Sequence, residues 1–175
     1  MTGAVHGLVE RAPRRLADVN GFRNQAPGFD PSSGQGALLN GGRYNAPGSF
    51  PTVYLCSTRE CTVAELTRQA TQQGLRIADL LPRELWEVST VEPIAVLDLT
   101  DPETLQHLSL AHSDLIRNDF RPTQQIGQAA HDAGYRAIRS PSATGIDVVH
   151  AVFCHELEMP LQSSLIETWT APHQL

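Results

Sequence analysis

A chain of 175 residues with 41% hydrophobic composition suits one domain with its own core, and it needs no disulfide framework to hold it. A net charge of −6 excludes a nonspecific nucleic-acid binder, because phosphate contacts require a concentrated basic surface. Cys56, Cys61 and Cys154 lack metal-type CxxC spacing, no charged-then-apolar leader opens the chain, and no apolar run approaches about 18 residues. These features predict reduced thiols in a cytoplasmic protein with no zinc site and no membrane span.

Residues 1–20 carry a basic cluster, Arg11, Arg14 and Arg15, interrupted by Pro13, and read as a short helix or a partly mobile lead-in to a core over about 20–170. GFRNQ at 21–25 is a short strand that delivers Arg23 to a long Gly-, Pro-, Ser- and Asn-rich loop over 26–42, of a length that is usually functional or disordered. The stretch 41–65, GGRYNAPGSFPTVYLCSTRECTVAE, reads as a site-building unit. Gly41 and Gly42 let the backbone turn or approach a ligand closely, which holds Arg43 on a loop. Residues 52–56 alternate and are β-prone, with Tyr54 in the middle of the strand. Ser57 and Glu60 form a capping box for a helix that starts near Thr58. Val63, Leu66 and Ala70 mark its apolar stripe, Glu65 lies beside that stripe, and Gly74 stops it. Loop, strand and helix can thus bring Arg43, Tyr54 and Glu65 together.

A connector over 77–82 leads to strands at 85–90 and 94–99, with Pro93 as the break. Asp-Pro opens a short helix over 101–110, and Pro122 opens another that runs to Gly134. Residues 137–139 form a short strand that enters the turn-rich SPSATG. IDVVHAVFC, at 146–154, is the most continuous β-type run and is expected to be a central strand, and 164–170 is the last strand. Strands interspersed with three or four helices, without regular βαβ alternation, predict one mixed α+β domain over 1–175 rather than a doubly wound sheet. The seven histidines show no HxxxH or HExxH pattern, so metal catalysis is not expected; His150 and His155 flank the central run and read as structural. All thirteen basic residues are Arg, so any anion would be met by guanidinium forks.

GGRYN followed by VYL, then AE in the next helix, and later a Pro-Ser turn after a small strand resemble the RES domain, the toxin half of RES-Xre toxin–antitoxin pairs. The resemblance covers roughly residues 20–155, and AVLDLTDPETLQHLSL and IGQAAHDAGY look like its actinobacterial branch. It implies a fold like that of ADP-ribosyltransferases of the diphtheria-toxin type. It also implies a toxin that depletes NAD by cleaving the nicotinamide–ribose bond, with phosphate as the expected acceptor. An NAD glycohydrolase, an ADP-ribosyltransferase acting on a protein, and a non-catalytic NAD- or antitoxin-binding member are the alternatives. NAD is then substrate and phosphate co-substrate, with no cofactor. The implied partner is an Xre-like helix-turn-helix antitoxin that blocks the cleft, so any DNA contact passes through that partner.

Carried over by position, the family's loop Arg falls on Arg43, its strand Tyr on Tyr54, its helix Glu on Glu65, its turn Ser on Ser142 and its earlier Arg on Arg23. The chain departs from the pattern at Asn24, where an aromatic is usual, at Tyr44, where Trp is common, and at Thr144, where an Arg usually follows the Pro-Ser turn. The chemistry suits these groups. Cleaving the N-glycosidic bond builds positive charge on the ribose, which the Glu65 carboxylate stabilises. Arg43, Arg23 and the turn at Gly41 and Gly42 offer donors to a pyrophosphate. Tyr54, with Tyr44 second, offers a ring to nicotinamide, and Ser142 offers a hydroxyl to a ribose or to the nicotinamide amide. Taken alone, Glu65 reads as a solvated helix carboxylate, Tyr54 as a core aromatic and Ser142 as a turn residue.

Overall fold

The computed structural model describes residues 2–175. They form eight strands, β1 (Arg15–Ala17), β2 (Asn20–Gln25), β3 (Val53–Cys56), β4 (Arg83–Ser89), β5 (Ile94–Asp98), β6 (Ala137–Pro141), β7 (Val148–Val152) and β8 (Gln162–Trp169). Six helices accompany them: α1 (Thr2–Glu10), α2 (Gln35–Asn40), α3 (Arg59–Gln72), α4 (Pro102–Leu108), α5 (His112–Leu115) and α6 (Arg121–Asp132). The strands make one sheet in the order β1-β5-β6-β7-β3-β2-β4-β8. Only β5 and β6 run parallel. A parallel pair needs a crossover, and α4, α5 and α6 supply it. The result is a mixed α/β architecture with the expected central strand, β7, between β6 and β3.

Strand alternation divides the core. Leu97, Ile138 and Ala151 pack against Val9 of α1, Leu108 of α4, Leu115 of α5 and Ile126, Ala129 and Ala130 of α6. Their neighbours Val96, Ala137 and Val152 join Val53 and Leu55 in a second cluster. Farther along the sheet, Leu66 of α3 packs with Leu85 of β4 and Trp169 of β8, and Phe22 of β2 lies against them. Phe22 stands directly across from Cys56, and opposed residues on neighbouring strands share a face. Tyr54, two positions before Cys56, shares that face and packs against the first cluster. Two groups of helices therefore cover one face of the sheet, and β3 runs as a floor between them.

Several sequence expectations shift by local physics. The lead-in is helical over Thr2–Glu10, and Val9 and Ala12 are buried, so the core begins well before residue 20. Strand β1 is an edge strand whose three residues are all exposed, so it leaves no burial pattern in the sequence. Helices α2 and α5, of six and four residues, fall in stretches expected to be loop or left unassigned. The cap of α3 is Thr58 rather than Ser57: the Cys61 N–H donates to Thr58 Oγ1 at 3.2 Å. Ser57 still belongs to the ladder, its N–H donating to Val148 O at 3.0 Å and its hydroxyl to the same oxygen at 3.2 Å. Asp101 caps α4 as its Asp-Pro start suggests, accepting from the Thr104 N–H at 3.0 Å.

Candidate active site

Between the two groups of helices, over β3, lies a cleft of about 390 Å³, within the usual range for small-molecule sites. Strand β2, the loop at 41–44, β3, α3 and the segment before α6 all contribute to its walls.

The GGRYN loop is held from three directions. Tyr54 Oη donates to Asn45 Oδ1 at 2.9 Å and accepts the Tyr44 N–H at 2.8 Å. Asn45 is buried, and its Nδ2 donates to Ala37 O at 2.7 Å. From α6, Gln124 Nε2 donates to Gly42 O at 3.0 Å. Position 42 must be glycine, since a Cβ there would lie 2.5 Å from the Tyr54 hydroxyl. Tyr54 thus spends its hydroxyl on the loop and leaves its ring in the cleft wall. Burial pushes its phenol pKa well above the ordinary value, so it stays neutral.

Arg43, which the loop presents, donates through Nη1 to Leu115 O and Arg117 O, both at 2.7 Å, and its guanidinium lies 4.6 Å over the Phe120 ring. Burial lowers its pKa, but a guanidinium remains charged. Tyr44 goes the other way. Its ring is only 1% exposed and sits in the core, where burial pushes its phenol up to about 12 and its hydroxyl, beside Ser140, finds no hydrogen-bond partner. Of the two tyrosines, Tyr54 is the one that offers its ring to a ligand, with Phe22 and Phe120 also lining the cleft. The Tyr44 carbonyl abuts α6 at Gly127, where any Cβ would overlap that oxygen.

Glu65 enters the cleft from α3, and its Oε1 accepts a 2.7 Å hydrogen bond from Ser142 Oγ. Ser142 is 1% exposed, and its hydroxyl also receives the Thr144 N–H at 3.1 Å and lies 2.6 Å from Thr144 Oγ1. With those contacts made, Ser142 stands behind Glu65 and aims it; the direct ligand contact expected of its hydroxyl is not the role this geometry gives it. Thr144, where an Arg was expected, closes the same turn.

Arg23 lines the cleft from β2, its Nη1 donating to Pro31 O at 2.8 Å and its buried Nε lacking a partner. Burial lowers its pKa, and Cys154, Arg83 and Asp30 are its charged or ionisable neighbours. Asn24 holds Arg83, accepting from its Nε at 2.8 Å. The structure therefore gathers Arg23, Gly42, Arg43, Tyr54 and Glu65 in one cleft, with Ser142 one contact behind; Tyr44 also borders the cleft, but it is 1% exposed and packs in the core. Sequence reasoning missed Arg68, Asn45, Gln124 and Gly127. Arg68 was discoverable, because it follows Glu65 by three residues on the same helix. The other three act through contacts made only in the folded chain. Among the described residues no group of three His, Cys, Asp or Glu side chains is placed to hold a metal, and no helix is long and apolar enough to cross a membrane.

A mixed sheet thus carries a carboxylate, an aromatic floor and three guanidiniums in one cleft, the groups that an anionic ligand and a developing positive charge call for. The chain belongs to the RES domain family, whose sequence model matches residues 12–168. It is 31% identical over 148 residues to the NAD(+) phosphorylase MbcT of Mycobacterium tuberculosis, covering 82% of this chain and 79% of that one. It is 33% identical over 152 residues to a probable NAD(+) phosphorylase of the same organism, covering 85% of this chain and 71% of the relative. In three dimensions it resembles the M. tuberculosis MbcT–MbcA toxin–antitoxin complex structure, with a TM-score of 0.80 at 24% identity over 94% of this chain and 90% of the matched one.

Proposed function

We propose that this chain is an NAD phosphorylase that depletes NAD by phosphorolysis of the nicotinamide–ribose bond, as the toxin of a toxin–antitoxin pair. The observation that carries this reading is the fixed Glu65 carboxylate, held by Ser142 in a cleft it shares with Arg43 and the Tyr54 ring. As the C–N bond breaks, the ribose gains positive charge and nicotinamide leaves neutral, so a preorganised carboxylate favours the transition state over the ground state. Tyr54, kept neutral by burial, lays its ring against the nicotinamide. Arg23, which lines the cleft, meets the pyrophosphate; the Gly41 and Gly42 N–H groups are spent within the loop, on Ala37 O and Asn45 O, both at 2.8 Å, so the turn shapes the wall and donates nothing. The relatives' names support the reaction, and the general plan of a cleft across a mixed sheet supports kinship with ADP-ribosyltransferases.

The same reading makes the domain one cytoplasmic unit over 1–175 and its partner an Xre-like helix-turn-helix antitoxin that covers the cleft mouth. The relative solved with an antitoxin supports a partner. Leu39, 73% exposed on the helix whose Gly36 and Ala37 line the cleft, gives such a partner an apolar landing. NAD enters as substrate and phosphate as co-substrate, without a metal.

The test is incubation of purified, antitoxin-free protein with NAD, with and without phosphate, following nicotinamide and identifying the second product by mass. The reading predicts phosphate-dependent release and ADP-ribose 1″-phosphate. Phosphate-independent ADP-ribose would make the chain a glycohydrolase, and no release from folded protein would leave protein modification or binding alone.

A further inference from the structure

We infer that Arg68, together with Arg43, forms the subsite for the inorganic phosphate beside Glu65. The inference rests on the phosphorolysis proposed above and adds the residue that selects phosphate as acceptor. Arg68 lies one helical turn beyond Glu65 on α3, so both side chains leave the same face of the helix and both line the cleft. Its guanidinium is satisfied only by a neutral group, Nη2 donating to Asn118 Oδ1 at 2.7 Å. Arg43 is likewise held by carbonyls alone. Among the described residues none of the three arginines that line the cleft, Arg23, Arg43 and Arg68, makes an ion pair with a carboxylate, whereas seven of the other ten do.

The two guanidiniums also lie near enough that the charge of Arg68 lowers the pKa of Arg43. Glu65 offsets part of that repulsion, but neither guanidinium hydrogen-bonds to a carboxylate, so both forks keep donors for an anion, and a phosphate presents oxygens to both. The pair also solves a problem set by Glu65, whose negative charge would by itself repel a phosphate dianion from the ribose carbon. Arg23 enters the same cleft from β2, whereas Arg43 and Arg68 come from the site loop and α3, which leaves Arg23 for the pyrophosphate of NAD and the pair for the incoming phosphate. In the step itself a phosphate oxygen bonds to ribose C1″. The C1″–N bond breaks with its electron pair going to nicotinamide, which loses its positive charge, and the new phosphomonoester releases its remaining proton to solvent.

Two variants test this, with KM for phosphate and for NAD measured separately. Arg68→Gln keeps the helix and removes the fork. Asn118→Asp leaves Arg68 in place but gives it a carboxylate partner on an exposed loop. Each is expected to raise the phosphate KM by about tenfold or more while the NAD KM stays within about twofold. An unchanged phosphate KM in both variants, with wild-type release still dependent on phosphate, overturns the subsite and leaves phosphorolysis standing. Wild-type release that ignores phosphate overturns both.

Discussion

Glu65 is aimed by one hydroxyl. The 2.7 Å bond from Ser142 joins side chains 77 positions apart, and Ser142 is itself fixed by Thr144. Replacing Glu65 by Gln preserves size and the hydrogen bond to Ser142 but deletes the charge. A fall in kcat of about 100-fold or more is expected, with thermal stability essentially unchanged, because the residue is only partly buried. Ser142→Ala tests the aiming: kcat should fall about tenfold while the NAD KM stays within about twofold. A rise in KM without loss of kcat would instead make Ser142 a substrate contact, as the sequence alone suggested. That Arg43, Tyr54 and Glu65 could meet was legible because a glycine turn, a two-residue alternation and a helical stripe each set a local frame, while their roles came from the family resemblance, since alone Glu65 reads as a solvated carboxylate. The work of Ser142 was not, since its partner lies on another element.

At the scale of elements, α6 acts as the brace of the site loop. Gln124 holds Gly42 O, and at Gly127 the helix lets the Tyr44 carbonyl come closer than any Cβ would permit. Two principles give opposite signs for Gly127→Ala. Helix propensity favours Ala by about 1 kcal/mol, while overpacking against backbone costs about 1–3 kcal/mol or more. The contact is with main chain that cannot rotate away, so the variant should be less stable in urea unfolding. It should also be less active, because the shifted loop carries Arg43. A stabilised variant would mean that the loop yields freely. The sequence marked α6 by its Pro start and Gly stop but could not show which of its faces meets residues 42–45. Conversely, β1 and α2 were missed because neither buries a residue that would set a period.

For the molecule as a whole, the central strands carry a titratable group that couples stability to pH. His150 stands on β7 between Leu55 of β3 and Arg139 of β6, and its buried Nδ1 has no partner. Burial, and next the charge of Arg139, lower its pKa from 6.5 to about 4 against the opposing pull of Asp98 and Asp147. With the folded value below the unfolded one, the unfolded chain binds the proton first. Its contribution to stability is therefore fully present above about pH 6.5, declines as the pH falls, and is lost below about pH 4, with a ceiling of about 3 kcal/mol. Urea midpoints measured between pH 4 and 7 should fall on acidification in the wild type and fall less steeply in His150→Gln. Equal slopes in the two proteins would place the acid sensitivity elsewhere, in carboxylates such as Asp147, whose pKa the Ser57 hydroxyl lowers. The site should feel the same transition. Strand β7 pairs with β3, the floor that carries Tyr54, and with β6, which leads into the Ser142 turn, so protonating His150 loosens the two supports of the cleft together.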